Sequence, residues 1–272
     1  MNTTAIASID TSLPSQAGRE KMMQMRWEPL FLADWDRTLM LHYSVAPEIL
    51  QPFVPFELDA RDGKAYVSLV AFTMRGLRPR RGGWSTRMMF NPIATHEFLN
   101  MRTYVRHGGE RGIYFLAEWL PNALSVLLGR PLFGLPYRLG RLNYDHQHES
   151  GWIAGEITSI CGRGELRYRA EVGDSFAPCE AGTLDEFLME RYTAFTEWLG
   201  MKRRFRVWHP SWPQCAVRAE IIENTLSHLT GDWADHAQFI GANYSTGVSD
   251  VWMSRPAFAE KIKSHNQKSQ TR

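Results

Sequence analysis

Three short stretches carry side chains whose types and spacing could do chemistry. In "LNMRTYV", Asn100 and Arg102 stand two apart, so on an extended chain both point the same way. An amide beside a guanidinium can clasp a carboxylate, because the guanidinium offers parallel N–H groups to paired oxygens. An ion pair between Arg102 and a structural acid is the plainer alternative. In "DHQHE", His146 and His148 also share a face, with Asp145 and Glu149 close by, the start of a metal site that lacks a nameable third ligand. A solvent-exposed hairpin end accounts for the same residues. In "TGDWADHAQF", Asp232, Asp235 and His236 invite a Ser-His-Asp arrangement with Ser227 or Ser245, but no nucleophile elbow accompanies them. Neither a G-x-G-x-x-G turn nor a phosphate-binding P-loop is present, so a nucleotide cofactor is disfavoured. No cofactor is expected.

These residues need elements to hold them. "PEILQPFVP" (47 to 55) opens on a proline at a first-turn position and reads as a short helix that Pro55 ends. "KAYVSLVAFTM" (64 to 74) is apolar on both parities, as in a strand buried on both faces. "FLNMRTYVR" and "GIYFLAEWL" flank the Gly-containing loop "HGGER" and predict a hairpin. "ALSVLLGR" has helical spacing. After it, Phe133-Gly134-Leu135-Pro136 turns the chain into "YRLGRLNYDHQH", an extended run in which Tyr137 faces one way and Arg138 the other. Further short strands are expected at 152–160, 165–172, 205–210, 216–223 and 249–253. "TLDEFLMERYTAF" (183 to 195) predicts an amphipathic helix with Thr183 and Glu186 forming a capping box.

Strands outnumber helices, so the expected fold class is mostly β (α+β): a curved, barrel-like sheet with a few closing helices. No repeat or linker divides the body. The expected organisation is an N-terminal tail (1–25), one domain (26–258) and a C-terminal tail (259–272). The charges, 31 basic against 29 acidic, are too balanced for the sustained positive field that nucleic acid requires. No stretch approaches the roughly 18 uninterrupted apolar residues of a membrane helix, and the N-terminus lacks a secretory pattern. Cys161, Cys179 and Cys215 are odd in number and widely spaced, which fits a reducing cytoplasm. No nucleic acid, membrane or structural metal is expected.

Taken in order, "PEILQPFVPFELD", "YVSLVAFTMRGLRP", "LNMRTYVRHGGERGIYFLAEW", "FGLPYRLGRL" and "YSTGVSDVWMSRP" resemble the acetoacetate-decarboxylase-like superfamily, in its YqjF-like bacterial branch. The resemblance covers about Trp27 to Pro256. It implies a curved β-barrel around an enclosed small-molecule cavity, and a homo-oligomer. Decarboxylases of that superfamily carry a Lys-Lys pair where this chain has Tyr137 and Arg138. Their first lysine forms a Schiff base, which neither a phenol nor a permanently protonated guanidinium can do. Ser44 stands where those enzymes keep an arginine, and Glu97 is the candidate for their retained glutamate. Schiff-base decarboxylation is thereby excluded.

By the same resemblance Tyr137 enters the cavity, where its hydroxyl would donate to a carbonyl or enolate oxygen while Glu97 acts as base. A packed tyrosine with a satisfied hydroxyl is the plainer role. Arg138, Arg102, Asn100 and Tyr114 are the candidate ligand-binding residues. The expected function is lysine-independent proton transfer on a small carbonyl or carboxylate compound. The alternative is a non-catalytic binding or sensing module on the same fold.

Overall fold

The computed structural model describes residues 14–160 and 164–259. It opens with helix α1 (Pro14–Met23), the long strand β1 (Phe31–Val45) and the short helix α2 (Pro47–Leu50). Strands β2 (Glu57–Leu58) and β3 (Ala65–Pro79) precede α3 (Gly83–Phe90). The hairpin β4 (His96–His107) and β5 (Glu110–Leu120) leads into α4 (Ala123–Phe133). Strands β6 (Tyr137–Asp145), β7 (Trp152–Ser159) and β8 (Glu165–Glu171) follow, then α5 (Leu184–Met189). The chain finishes through β9 (Thr193–Trp198), β10 (Met201–Trp208), β11 (Gln214–Asn224), β12 (Gln238–Met253) and β13 (Ala257–Phe258).

The strands belong to one strongly curved, 13-stranded sheet. Its pairing closes into two circuits that share β12, β1, β3, β4 and β5. One circuit returns from β5 to β12 through β6, β7, β8 and β11; the other returns through β9 and β10. Each shared strand therefore has a core on both faces, which is why β3 is buried continuously from Ala65 to Phe72. Alternation sorts the residues: Val67, Leu69, Leu99 and Met101 enter the first core, with Ile157 and Tyr168 of the larger circuit. Val70, Phe72, Phe98 and Tyr104 enter the second, with Phe205 and Val207 of β10 and with α5. Burial of such side chains, at about 25 cal/mol per Å² of apolar surface, is the dominant favourable term in folding.

Several expectations shift. Where a tail was expected through residue 25, Pro14–Met23 forms a helix with Met22 fully buried, and the Ser15 hydroxyl donates to the His209 carbonyl at 2.7 Å. Residues 1–13 and 260–272 lie outside the described residues, as does Cys161. The helix expected over 183–195 keeps its cap, with Glu186 N–H donating to Thr183 Oγ1 at 3.3 Å, but stops at Met189. Residues 193–198 are drawn into β9 because they complete the smaller circuit between β5 and β10. Two of the longest strands escape the alternation test where they too are buried on both faces, β1 from Thr38 to Val45 and β12 from Ala242 to Ser245.

Candidate functional site

The second core contains a row of polar side chains set by strand register. Asn100 pairs with Glu118 across the β4–β5 ladder, and Glu118 pairs with Tyr137 across the parallel β5–β6 contact. Paired residues point to the same side, so amide, carboxyl and phenol lie side by side. A β-bulge creates this arrangement. Between Met101 and Arg102 the partners jump from Ala117 to Phe115, leaving Leu116 as the extra residue. The bulge moves Phe115, Glu118 and Leu120 onto the second-core side, whereas Tyr114 and Leu116 pack against the first core.

Tyr137 enters this core because Gly134, at φ +74, ends α4 in the left-handed conformation that glycine adopts without strain. The ring then fills space left by Gly129 of α4: a Cβ there would lie 2.2 Å from Tyr137 Cδ2. Phe98 packs against the ring at 5.9 Å between centroids. Burial, and secondarily the nearby Glu118 charge, push the phenol's pKa well above its ordinary value, so it is a donor and not a base. Glu118 is 5% exposed and its Oε1 has no hydrogen-bond partner. Desolvation raises its pKa from 4.5 to about 8, which leaves a carboxylic acid predominantly protonated at neutral pH.

A second row lies one step along the strands. His42, Ser68 and Arg102 are in register on β1, β3 and β4. His42 Nδ1 is 2.7 Å from Ser68 Oγ and its Nε2 is 3.1 Å from Asn243 Oδ1. Burial and then the Arg102 charge push the His42 pKa down to about 3, so the imidazole is neutral. Arg102 Nη2 donates to the Leu188 carbonyl at 3.0 Å and contacts Met40 Sδ at 3.6 Å, while its Nε has no partner. The end of α5 thus closes over the guanidinium. Burial, with the Arg102 charge as a lesser cause, lowers the His209 pKa to about 4. His209 and Trp212 pack together at 4.9 Å, and the buried Trp212 indole N–H is also unpartnered. With Asn100 Oδ1, the atoms Glu118 Oε1, Arg102 Nε and Trp212 Nε1 are buried polar atoms of this core without a protein partner. Buried polar atoms are nearly always satisfied, so such a grouping points to an additional guest, water or ligand.

The candidates named from sequence divide between the two cores. Asn100, Arg102 and Tyr137 share the second. Arg138 faces the first, with its guanidinium 5.3 Å from the Trp119 ring and Nη1 donating to the Leu229 carbonyl. Tyr114 packs there against Phe56 at 5.7 Å. Glu97 shares the parity of Leu99 and Met101, and its charge acts on Tyr144 of the first core. The glutamate beside Tyr137 is therefore Glu118. One signal for it was legible: a single acid inside the apolar run "GIYFLAEWL". Ser44 is buried on the His42 side of β1, where Arg102 is a buried cation. His146 spends both ring nitrogens, on Tyr168 Oη and the Arg37 carbonyl at 2.8 Å each, and burial lowers its pKa to about 4. His148 lies 3.2 Å from Tyr244 Oη. Among the described residues no group of three metal-ligating side chains forms.

Comparison with known proteins agrees with this architecture. The chain superposes on an acetoacetate decarboxylase-like enzyme from Sphingomonas wittichii RW1 with a TM-score of 0.60, at 15% identity, over 86% of this chain and 94% of that one. The enduracididine biosynthesis enzyme MppR, solved with pyruvate, gives a TM-score of 0.59 at 12% identity over 88% and 94%. Acetoacetate decarboxylase from Legionella pneumophila gives 0.59 at 12% over 96% and 99%. These likenesses establish the fold. In sequence, the chain is 29% identical over 205 residues, 72% of its own length and 80% of the relative's, to the uncharacterized protein YqjF of Bacillus subtilis (strain 168). Residues 32–248 match the family model DUF2071, an uncharacterized conserved protein, and the chain belongs to that family.

Proposed function

We propose that the second core binds a small molecule bearing a carbonyl next to a carboxylate and moves a proton on it without a Schiff base. Arg102 and Asn100 hold the carboxylate, the Tyr137 hydroxyl donates to the carbonyl oxygen, and Glu118 exchanges the proton. The base role expected of Glu97 passes to Glu118. The observation that carries this reading is Glu118 itself: a buried carboxyl between Asn100 and Tyr137, with one oxygen unpartnered and a pKa near 8. A group titrating close to working pH is efficient at both giving and taking a proton. The phenol cannot form an imine; in this reading it acts by hydrogen bonding to the developing enolate.

Pyruvate is the first probe, since a neighbour of the same fold was solved with it. In deuterium oxide at pH 8, followed by proton NMR, the protein exchanges the pyruvate methyl protons faster than buffer. Glu118→Gln and Tyr137→Phe each reduce that acceleration by about 100-fold, the usual scale for losing an acid–base or oxyanion partner. Undiminished exchange in both variants contradicts the reading. Saturable binding of pyruvate without exchange assigns the non-catalytic alternative.

The cytoplasmic expectation rests on the thiols: Cys179 and Cys215 are unbridged. The homo-oligomer expectation finds support on one face. There α3 exposes Trp84 and Met89 and α4 exposes Leu127 and Leu132. Both helices flank Phe31, whose ring meets Phe90 at 5.4 Å and Phe133 at 6.1 Å.

A further inference from the structure

The surface beside α5 is built differently from the polar rows in the core. A cleft of about 840 Å³ lies between α1, the tip of the β4–β5 hairpin and the end of α5, a size suited to a small-molecule ligand. Its basic lining residues are Lys21, Arg61, Arg106, Arg111, Arg191 and Arg206. Three of these guanidinium groups converge on one buried carboxylate. Asp59 accepts from Arg106 Nε at 2.6 Å, Arg111 Nε at 2.7 Å and Arg191 Nη1 at 2.9 Å. One negative charge thus meets three positive ones. The Asp59 carboxyl is held below its usual range by these arginines against the opposing effect of burial, so it stays ionised and the excess persists.

The remaining acids of the cleft are already committed. Glu110 is gripped by Arg206 at 2.6 Å and by Arg204 at 2.8 Å. Glu186 accepts from the Gly182 N–H, and Glu190 from the Tyr192 hydroxyl and the Trp212 N–H. With the ion-pair partners just outside the lining included, seven basic groups (the six and Arg204) face five acids, Asp59, Asp62, Glu110, Glu186 and Glu190, an excess of two positive charges. A second observation is independent of this charge balance. Arg191 lines the cleft, yet its side chain is only 4% exposed and its Nη2 has no hydrogen-bond partner. A buried, ionised donor left unpaired is costly unless something else supplies the acceptor.

Other features make the cleft suitable for an anion. Arg106 and Arg111 are about half exposed (48% and 53%) and each gives Asp59 one N–H, although a guanidinium carries five. Phe187 packs under the guanidinium groups of Arg191 at 4.2 Å, Arg111 at 5.1 Å and Arg61 at 5.7 Å, which fixes their planes. Gly108, Gly109 and Gly182 leave open space where side chains would otherwise project. From the convergence of Arg106, Arg111 and Arg191 on Asp59 beside this cleft, we infer a binding site for a small molecule carrying a dianionic oxyanion group, a phosphate ester or a dicarboxylate.

Isothermal titration of the full chain at fixed ionic strength tests this, with inorganic phosphate and succinate as probes and acetate and chloride as monoanion controls. Saturable binding of phosphate, succinate or both, tighter than acetate, is the expected result, and the preferred probe names the source of the dianion. Arg111→Gln, with an unchanged circular dichroism spectrum, weakens that binding about ten-fold, as loss of a charge-assisted donor should. Arg106→Gln serves in its place should the first variant fail to fold. Binding of neither dianion, acetate binding as tightly as phosphate, or unchanged affinity in the folded variant would overturn the inference.

Discussion

At the scale of single residues, the behaviour of Glu118 follows from where its carboxyl is buried. Its folded pKa of about 8 lies above the 4.5 of an exposed glutamate, so the folded protein holds this proton more tightly than the unfolded chain does. Stability is then fullest below about pH 4.5, falls as pH rises through the window, and levels off above about 8. The slope from this one group is about 1.4 kcal/mol per pH unit. Glu118→Gln cannot ionise, so in urea unfolding its stability relative to the parent should rise steadily from pH 5 to pH 8; a difference independent of pH would refute the assignment. Much of this row was legible in the sequence. The two-residue spacing of Asn100 and Arg102 put them on one face, and the turn at Gly134-Leu135-Pro136 set Tyr137 and Arg138 on opposite ones. Glu97 does not adjoin Tyr137 because its parity on β4 turns it toward the first core, and the acid that does, Glu118, comes from the neighbouring strand β5.

At the scale of elements, the bulge at Leu116 and the close approach of α4 to β6 do the positioning. Neither was legible. A bulge breaks the alternation on which a strand is read, and "GIYFLAEWL" is apolar on both parities. The β4–β5 hairpin, the short helix at Pro47 and the cap at Thr183 were legible because their signals are local: proline placement, a glycine loop, a capping box. The shortened α5 was not, since β9 exists only through pairing with β5 and β10. Gly129 gives a test at this level. An ordinary helix position gains up to about 1 kcal/mol when glycine becomes alanine, but here the new Cβ would collide with the Tyr137 ring at 2.2 Å. Gly129→Ala should therefore destabilise by about 1–3 kcal/mol in thermal or urea unfolding and alter the near-ultraviolet signal of the displaced tyrosine. Stabilisation would mean that α4 and β6 do not meet this closely.

At the scale of the whole molecule, two pairing circuits sharing five strands explain how a chain of 272 residues encloses two cores in one sheet. Shared strands buried on both faces hold the polar groups of the second core away from water. The apolar residues exposed on α3 and α4 lead to a prediction about assembly: light scattering should find a homo-oligomer, and Leu127→Glu, a residue 71% exposed, should shift it toward the monomer. An assembly indifferent to that charge would place the contact elsewhere. The account as a whole depends on a protonated carboxyl waiting beside the Tyr137 hydroxyl in the second core. The most direct measurement is a carbon-13 NMR titration of protein labelled at the glutamate carboxyl carbons, with Glu118 assigned by its loss in Glu118→Gln. The account predicts a Glu118 resonance that stays protonated through neutral pH and titrates near 8. A Glu118 carboxyl already ionised at pH 6, titrating with the exposed glutamates, would contradict it.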